Sequence, residues 1–273
     1  NLSEQVLNAI HHDLKNTIFS FIPNTAETAF YGMLKGMEDY LNKVKIERIL
    51  SWGNDIDQEK LKEMVQRRIR VEKIAIKDVK MRTFITEDSN RNEMVQHVYD
   101  ITYGTVRPGE DTLVVIDDSI VRGTTLKESI IRMLSRLKPR RIVVVSSSPQ
   151  IRYPDCYGID MSKMGDFIAF NAAVELMKEK NKTNCLKELH ERCKELSRNN
   201  QLHTENVVKQ LYKQFTAEEI SAKIAQLITP PGMDIPVDVI FQSIEDLHRS
   251  CPNNLGDWYF TGNYPTPGGN KVV

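Results

Sequence analysis

Cysteine is scarce: the 273 residues hold four, at positions 156, 185, 193 and 251, with no C-x-x-C spacing. Four cysteines spread so widely cannot staple a chain of this length, which excludes a disulfide framework and points to a reducing, cytoplasmic setting. Cys185 and Cys193 share a helical stretch with His190, a pattern that allows a metal site but does not require one. Net charge is also missing, since 37 Lys and Arg balance 37 Asp and Glu. No basic field of the kind nucleic acid needs is present, nor an acidic tail, although small anions require only local charge. No apolar run approaches membrane-spanning length, and the first residues lack a signal-like core. The composition is that of a soluble globular chain able to bury one large core or two small ones. Its first residue is Asn rather than Met, as expected of a fragment or a processed product.

What is present centres on residues 112–125, TLVVIDDSIVRGTT. Leu113, Val114, Val115 and Ile116 form a short β-branched run, as a strand buried on both faces of a parallel sheet requires. Asp117 and Asp118 end it. Ser119, Gly123, Thr124 and Thr125 then lead into LKESIIRMLSRLK, where Ile130, Ile131, Met133, Leu134 and Leu137 recur with helical spacing. In open α/β sheets ligands lie beyond the carboxyl ends of strands, where the first helical turn offers N–H groups to an anion. Gly123 permits close backbone approach, and the threonines add hydroxyl donors around an anion nest. Two carboxylates repel a phosphate, so they call for vicinal hydroxyls or a hydrated divalent cation nearby. Phosphate, diol and metal together describe a ribose 5-phosphate. The alternative is that both acids merely cap the helix.

Taken whole, the stretch resembles the phosphoribosyl pyrophosphate (PRPP) motif of type I phosphoribosyltransferases. DDSIVRGTT is similar to the form found in the glutamine PRPP amidotransferases (amidophosphoribosyltransferases). The resemblance implies that Asp117 and Asp118 hold the ribose hydroxyls and act in catalysis. It also implies that Ser119, Val121, Arg122, Gly123, Thr124 and Thr125 form the substrate loop. Magnesium would be the cofactor, reached by Asp117 and Asp118 only indirectly, through the ribose oxygens to which it is bound.

Further blocks extend the resemblance. Residues 17–22, TIFSFI, read as a buried strand ending at Pro23, before a helix in AFYGMLKGMEDYLN. Asn24, Thr25, Ala26 and Glu27 stand where the family has its pyrophosphate-binding loop, and a simple N-cap reading stays open beside that one. Residues 43–68 are charged, with a helix expected from 58 to 68, and read as an insertion. Residues 69–76 alternate as a strand does. Arg82, Thr83, Phe84 and Ile85 match the RTFI that precedes the family's mobile loop, and Arg82 is a candidate catalytic residue. That loop, about 86–107, departs from the pattern: Gln96 and Val98 stand where lysines are expected. Arg91, His97 and Arg107 are its remaining candidate cations. Residues 142–145 are another buried strand, followed by SSSPQ and by RYPDCYGIDM, which resembles the family's R-Y-P-x-x-Y-G-I-D-M block. For its members a surface ion pair (Arg152), a core ring (Tyr153) and a helix cap (Asp160) are the plainer readings. Near the end, VDVIFQSIEDL resembles a closing strand and helix. YFTGNYP resembles the C-x-x-C-F-T-G-x-Y-P segment, with Gly256 and Tyr259 replacing the cysteines.

The fold class these features imply is α/β: a type I phosphoribosyltransferase fold, a mostly parallel twisted sheet flanked by helices, with helical insertions. One domain is expected over 1–273, with about 163–232 a mostly helical insertion and 233–273 a closing segment. The family's N-terminal glutaminase domain is not found in this sequence. The implied activity is displacement of pyrophosphate from C1 of PRPP by ammonia, giving phosphoribosylamine in the first step of purine synthesis. Ammonia would come from the missing glutaminase domain. Feedback purine nucleotides and a homo-oligomer are further expectations of the family, while neither nucleic acid nor membrane is an expected partner. A PRPP or nucleotide sensor without turnover, or a base-salvage phosphoribosyltransferase, are the alternatives.

Overall fold

The computed structural model describes residues 2–23, 25–53, 56–77, 99–155, 161–254, 256–271 and 273. Five strands form one parallel sheet: β1 (Thr17–Phe21), β2 (Arg70–Val71), β5 (Thr112–Asp117), β6 (Arg141–Ser146) and β7 (Val237–Phe241), in the order β2-β1-β5-β6-β7. Two more, β3 (Ala75–Lys77) and β4 (Tyr99–Ile101), form an antiparallel pair. The apolar runs form central strands because alternate residues can be buried on opposite faces. Ile18, Leu113, Val115, Ile142 and Val144 enter one core, and Phe19, Phe21, Val114, Ile116, Val143 and Val145 the other. Each such side chain contributes roughly 1.5–3 kcal/mol by leaving water.

One face is covered by α1 (Leu2–Ala9) and α2 (Glu27–Ser51), the latter through Phe30, Met33, Met37 and Leu41. The buried stripe of α2 stops at Leu41, yet the helix runs on to Ser51 through Lys43, Lys45, Glu47 and Arg48 interleaved with Val44, Ile46, Ile49 and Leu50, of which Ile46 and Leu50 are exposed. About a third of the charged stretch 43–68 is thus a solvated continuation of α2. The rest includes α3 (Gln58–Gln66), capped by Asp57, whose carboxylate accepts from the Glu59 N–H. Residues 69–76 form two short strands rather than one. Glu72 N–H still donates to Phe19 O, but Ile74 N–H donates to Ser20 Oγ and Glu72 O, which turns the chain out of the sheet.

The other face carries the helix after β5, π-helical over Leu126–Ile130 and continuing as α4 (Ile131–Ser135), together with α5 (Ile168–Glu179) and α8 (Ala217–Ile228). Outside these pack α6 (Thr183–Arg198) and α7 (Val208–Tyr212), and the chain closes with α9 (Ile244–Ser250) and α10 (Trp258–Thr261). The RYP and TGNYP blocks meet here. Tyr259 O accepts from the N–H groups of Arg152 and Tyr153, and the Tyr264 hydroxyl donates to Pro154 O at 2.7 Å. Gly262, with φ 68°, fits against the Tyr153 ring.

The amino end of the sheet is fastened by Asp111, whose side chain is fully buried. Its carboxylate accepts from Arg70 Nη1 and Nη2 at 2.6 and 3.0 Å and from Arg107 N and Nη2 at 2.8 and 2.5 Å. Burial alone would raise its pKa. The hydrogen bonds from Arg70 and Arg107 outweigh that and hold it at about 2.

Candidate active site at the sheet switch point

From β1 the chain moves outward to β2 on one side and, later, through β5, β6 and β7 on the other, so β1 and β5 bound the crevice where the winding reverses. The register sets Phe21 beside Ile116, Asp117 beside Ser146, and Ser146 beside Phe241. The carboxyl ends of four strands therefore share one edge, and the loops after β1 and β5 face each other there.

Asp117 and Asp118 are both half-buried at this edge. Asp118 N–H donates to Asp117 Oδ1 at 2.9 Å, while Ser119 N–H and Oγ donate to Asp118 Oδ1 at 2.6 and 3.2 Å. The following helix starts at Thr124, with Lys127 N–H donating to Gly123 O, well beyond both acids, so helix capping does not explain the pair. The loop between is braced from behind. Val121 O accepts from Ile168 N–H at 2.8 Å, and Arg122 pairs with Asp166 at 3.5 Å. Gly123 takes φ 71°, a left-handed conformation that a side chain would strain. Thr124 and Thr125, the first residues of the helix, are exposed. A π-helical turn directly after such a loop is a frequent mark of functional sites.

Across the crevice, Thr25 and Glu27 are exposed and Ala26 is buried at the N-cap of α2 with no side-chain capping bond. Among the described residues no side chain bonds the first-turn N–H groups of α2, an arrangement suited to an anion. Asn24 lies outside the described residues, as do Arg82, Arg91, Gln96, His97, Val98 and Asp160.

Other candidates fall elsewhere. Arg107, a possible loop cation by its place in the sequence, is bound to Asp111 at the opposite end of β5 and cannot reach the crevice. Arg152 makes no surface ion pair. Its guanidinium donates to Gln150 Oε1 and lies 5.1 Å over the Tyr212 ring, and burial lowers its pKa. Tyr153 is a core ring, with its hydroxyl pushed up to about 12 by burial. Tyr259, at a position where the motif has cysteine, donates instead to Asp155 Oδ1. Cys185, Cys193 and Cys251 are free, and among the described residues no group of three or more His, Cys, Asp or Glu is placed to hold a metal ion. No described helix is long and apolar enough to cross a membrane.

The serines after β6 take a part that their sequence signalled only as a polar run. Ser147 N–H donates to Asp117 O at 2.9 Å, Ser148 N–H to Asp118 O at 3.1 Å, and Ser147 Oγ to Asp118 O at 3.1 Å. The backbone carrying both acids is tied to its neighbouring strand.

A parallel doubly wound sheet, with an acid pair and a glycine-hydroxyl loop beside the switch point, is arranged as in the type I phosphoribosyltransferase fold. The particular relatives come from sequence. The chain is 40% identical over 70 residues to the amidophosphoribosyltransferase of Haemophilus influenzae, covering 26% of this chain and 14% of that one. It is 40% identical over 67 residues to that of Saccharomyces cerevisiae, covering 24% and 13%. With that of Staphylococcus epidermidis it shares 37% over 97 residues, covering 36% and 19%. Over these stretches the chain is similar to amidophosphoribosyltransferases, and each match spans less than a fifth of the curated relative. No protein-family model matches. Among solved structures, the Bacillus subtilis glutamine PRPP amidotransferase complexed with ADP and GMP aligns at 22% identity and TM-score 0.45, over 92% of this chain and 38% of that one. An allosteric regulatory enzyme of purine biosynthesis aligns at 21% and 0.46, over 97% and 40%.

Proposed function

We propose that this domain binds PRPP at the β1/β5 crevice and transfers ammonia to its C1, releasing pyrophosphate and forming 5-phosphoribosylamine. The observation that carries the reading is the acid pair held at the carboxyl end of β5 directly before a loop that turns at Gly123. Asp117 and Asp118 accept hydrogen bonds from the ribose 2′ and 3′ hydroxyls. Ser119 supports Asp118, and the backbone from Val121 to Thr125, with both threonine hydroxyls, holds the 5-phosphate. The start of α2, with Thr25, Ala26 and Glu27, faces the pyrophosphate, and Asn24 and Arg82 are assigned to the same site from the motif.

Among the described residues no third ligand joins the two carboxylates, which suits magnesium that arrives on substrate oxygens, so Asp117 and Asp118 would hold it through the ribose. When bound, it would neutralise charge developing on the leaving pyrophosphate. The protein's share is orientation: the sugar is fixed at both ends while C1 stays open to ammonia. Gln96 and Val98 stand where the motif has lysines in its closing loop, and Arg107 is committed to Asp111. For that reason a sensor that binds PRPP without turnover is the second reading. Calorimetric titration with ribose 5-phosphate and magnesium tests the site: saturable binding by wild type, lost in Asp118→Asn, is expected. Equal binding by both would refute the assignment.

A further inference from the structure

The acid pair does not end its hydrogen bonding at Ser147. Gln242 directly follows β7, and its own N–H continues the ladder to Ser146 O at 3.1 Å. With its amide oriented to satisfy both neighbours, its nitrogen donates to Ser147 O at 2.5 Å and its oxygen accepts from Leu247 N–H at 3.2 Å. Ser147 is then held on both sides of its peptide. Its carbonyl accepts from Gln242, while its N–H and Oγ donate to Asp117 O and Asp118 O. A continuous path runs from the first turn of α9 through Gln242 and Ser147 to the backbone of both acids.

We infer that Gln242, acting through Ser147, is a positioning residue that sets the direction of the Asp117 and Asp118 carboxylates. The inference rests on the PRPP-site reading and deepens it. A carboxylate aimed at a diol loses its hydrogen bond steeply once its angle drifts, and the soft coordinates here are the backbone dihedrals of residues 117 and 118. Tying two successive carbonyls to the next strand restrains those dihedrals. Gln242 restrains the strand end that does the tying. The phosphate loop, by contrast, is braced by Ile168 and Asp166, on a different helix and turn. The Gln242 path therefore serves the sugar half of the site and not the phosphate half.

That division gives a readout that a merely structural role would not produce. Wild type and variants of the chain are titrated with ribose 5-phosphate plus magnesium, and separately with inorganic phosphate. Gln242→Leu, close in volume but without the amide, is expected to weaken ribose 5-phosphate about five- to tenfold, the scale of one hydrogen bond, with inorganic phosphate unchanged within about twofold. Ser147→Ala is expected to show the same split, and Ser147→Thr, which keeps the hydroxyl, to restore wild-type selectivity. Unchanged ribose 5-phosphate binding in both Gln242→Leu and Ser147→Ala, or equal weakening of both ligands, would overturn the inference alone. Wild type that binds inorganic phosphate but not ribose 5-phosphate would overturn the PRPP-site reading, and this inference with it.

Discussion

Replacing Asp111 with asparagine keeps the side chain's shape and removes the charge that Arg70 and Arg107 enclose. The carboxyl sits at about 2 rather than its ordinary 3.8. A drop of about 1.8 units corresponds to about 2.5 kcal/mol of folding free energy at about 1.4 kcal/mol per unit. Arg107 is 45% exposed, so solvent screening reduces the figure to about 1–2 kcal/mol. Leaving Arg70 against a neutral amide adds to the loss, and Asp111→Asn is expected to cost about 2–4 kcal/mol near neutral pH. Because the folded-state pKa is depressed, this stabilisation is complete above the unfolded value and disappears as pH falls through about 2. About half is gone by pH 3. Urea unfolding of both proteins between pH 7 and pH 3 measures the effect. The gap should narrow as pH falls, and affinity for ribose 5-phosphate near pH 7.5 should be unchanged, since Asp111 lies at the opposite end of the sheet from the crevice. A gap of constant size, or no gap at pH 7, would refute the reasoning.

Two glycines give independent checks. A Cβ at Gly262 would stand 2.9 Å from the Tyr153 ring and 2.7 Å from Asn206 Nδ2, on backbone with φ 68°. Gly262→Ala should therefore destabilise by about 2–4 kcal/mol, read as a lower Tm, and an unchanged Tm would contradict the packing described. At Gly123 a Cβ would stand 2.4 Å from Ile168 Cδ1 and 3.0 Å from Ile228 Cγ2, both buried, on backbone with φ 71°, so strain and overpacking together cost about 2–3 kcal/mol. Gly123→Ala should lower Tm and weaken inorganic phosphate about five- to tenfold by displacing the loop's N–H groups. Titration showing tight phosphate binding in the variant would remove Gly123 from the site.

Much of this was legible before any coordinates. Runs such as LVVI and IVVV announce strands buried on both faces, and an acid pair followed by a glycine-hydroxyl turn announces what lies at a strand's end. Those signals are local. The parts that could not be read depend on distant partners. Arg107 looks like a loop cation until Asp111 and Arg70 are seen to close around one another, across 41 residues of chain. The break between β2 and β3 depends on Ser20 Oγ receiving Ile74 N–H, a bond across 54 positions. Helix α2 outlasts its buried stripe, and Ile46 and Leu50 in its last turns are apolar yet exposed, which no local pattern announces. Gln242 reads as an ordinary polar residue after a strand, and only the adjacency of β6 and β7 brings it to Ser147.

The central claim is that the crevice between β1 and β5 turns over PRPP with ammonia. The most direct test is pyrophosphate release from PRPP by this chain with magnesium and excess ammonium, compared with the Asp117→Asn/Asp118→Asn double variant. The account predicts release by wild type and its loss, by at least about a hundredfold, in the double variant, as expected when two charge-assisted hydrogen bonds are removed. Release undiminished in the double variant would contradict the assignment of the acid pair. No release from a wild type that binds PRPP would contradict turnover and establish the sensor reading in its place.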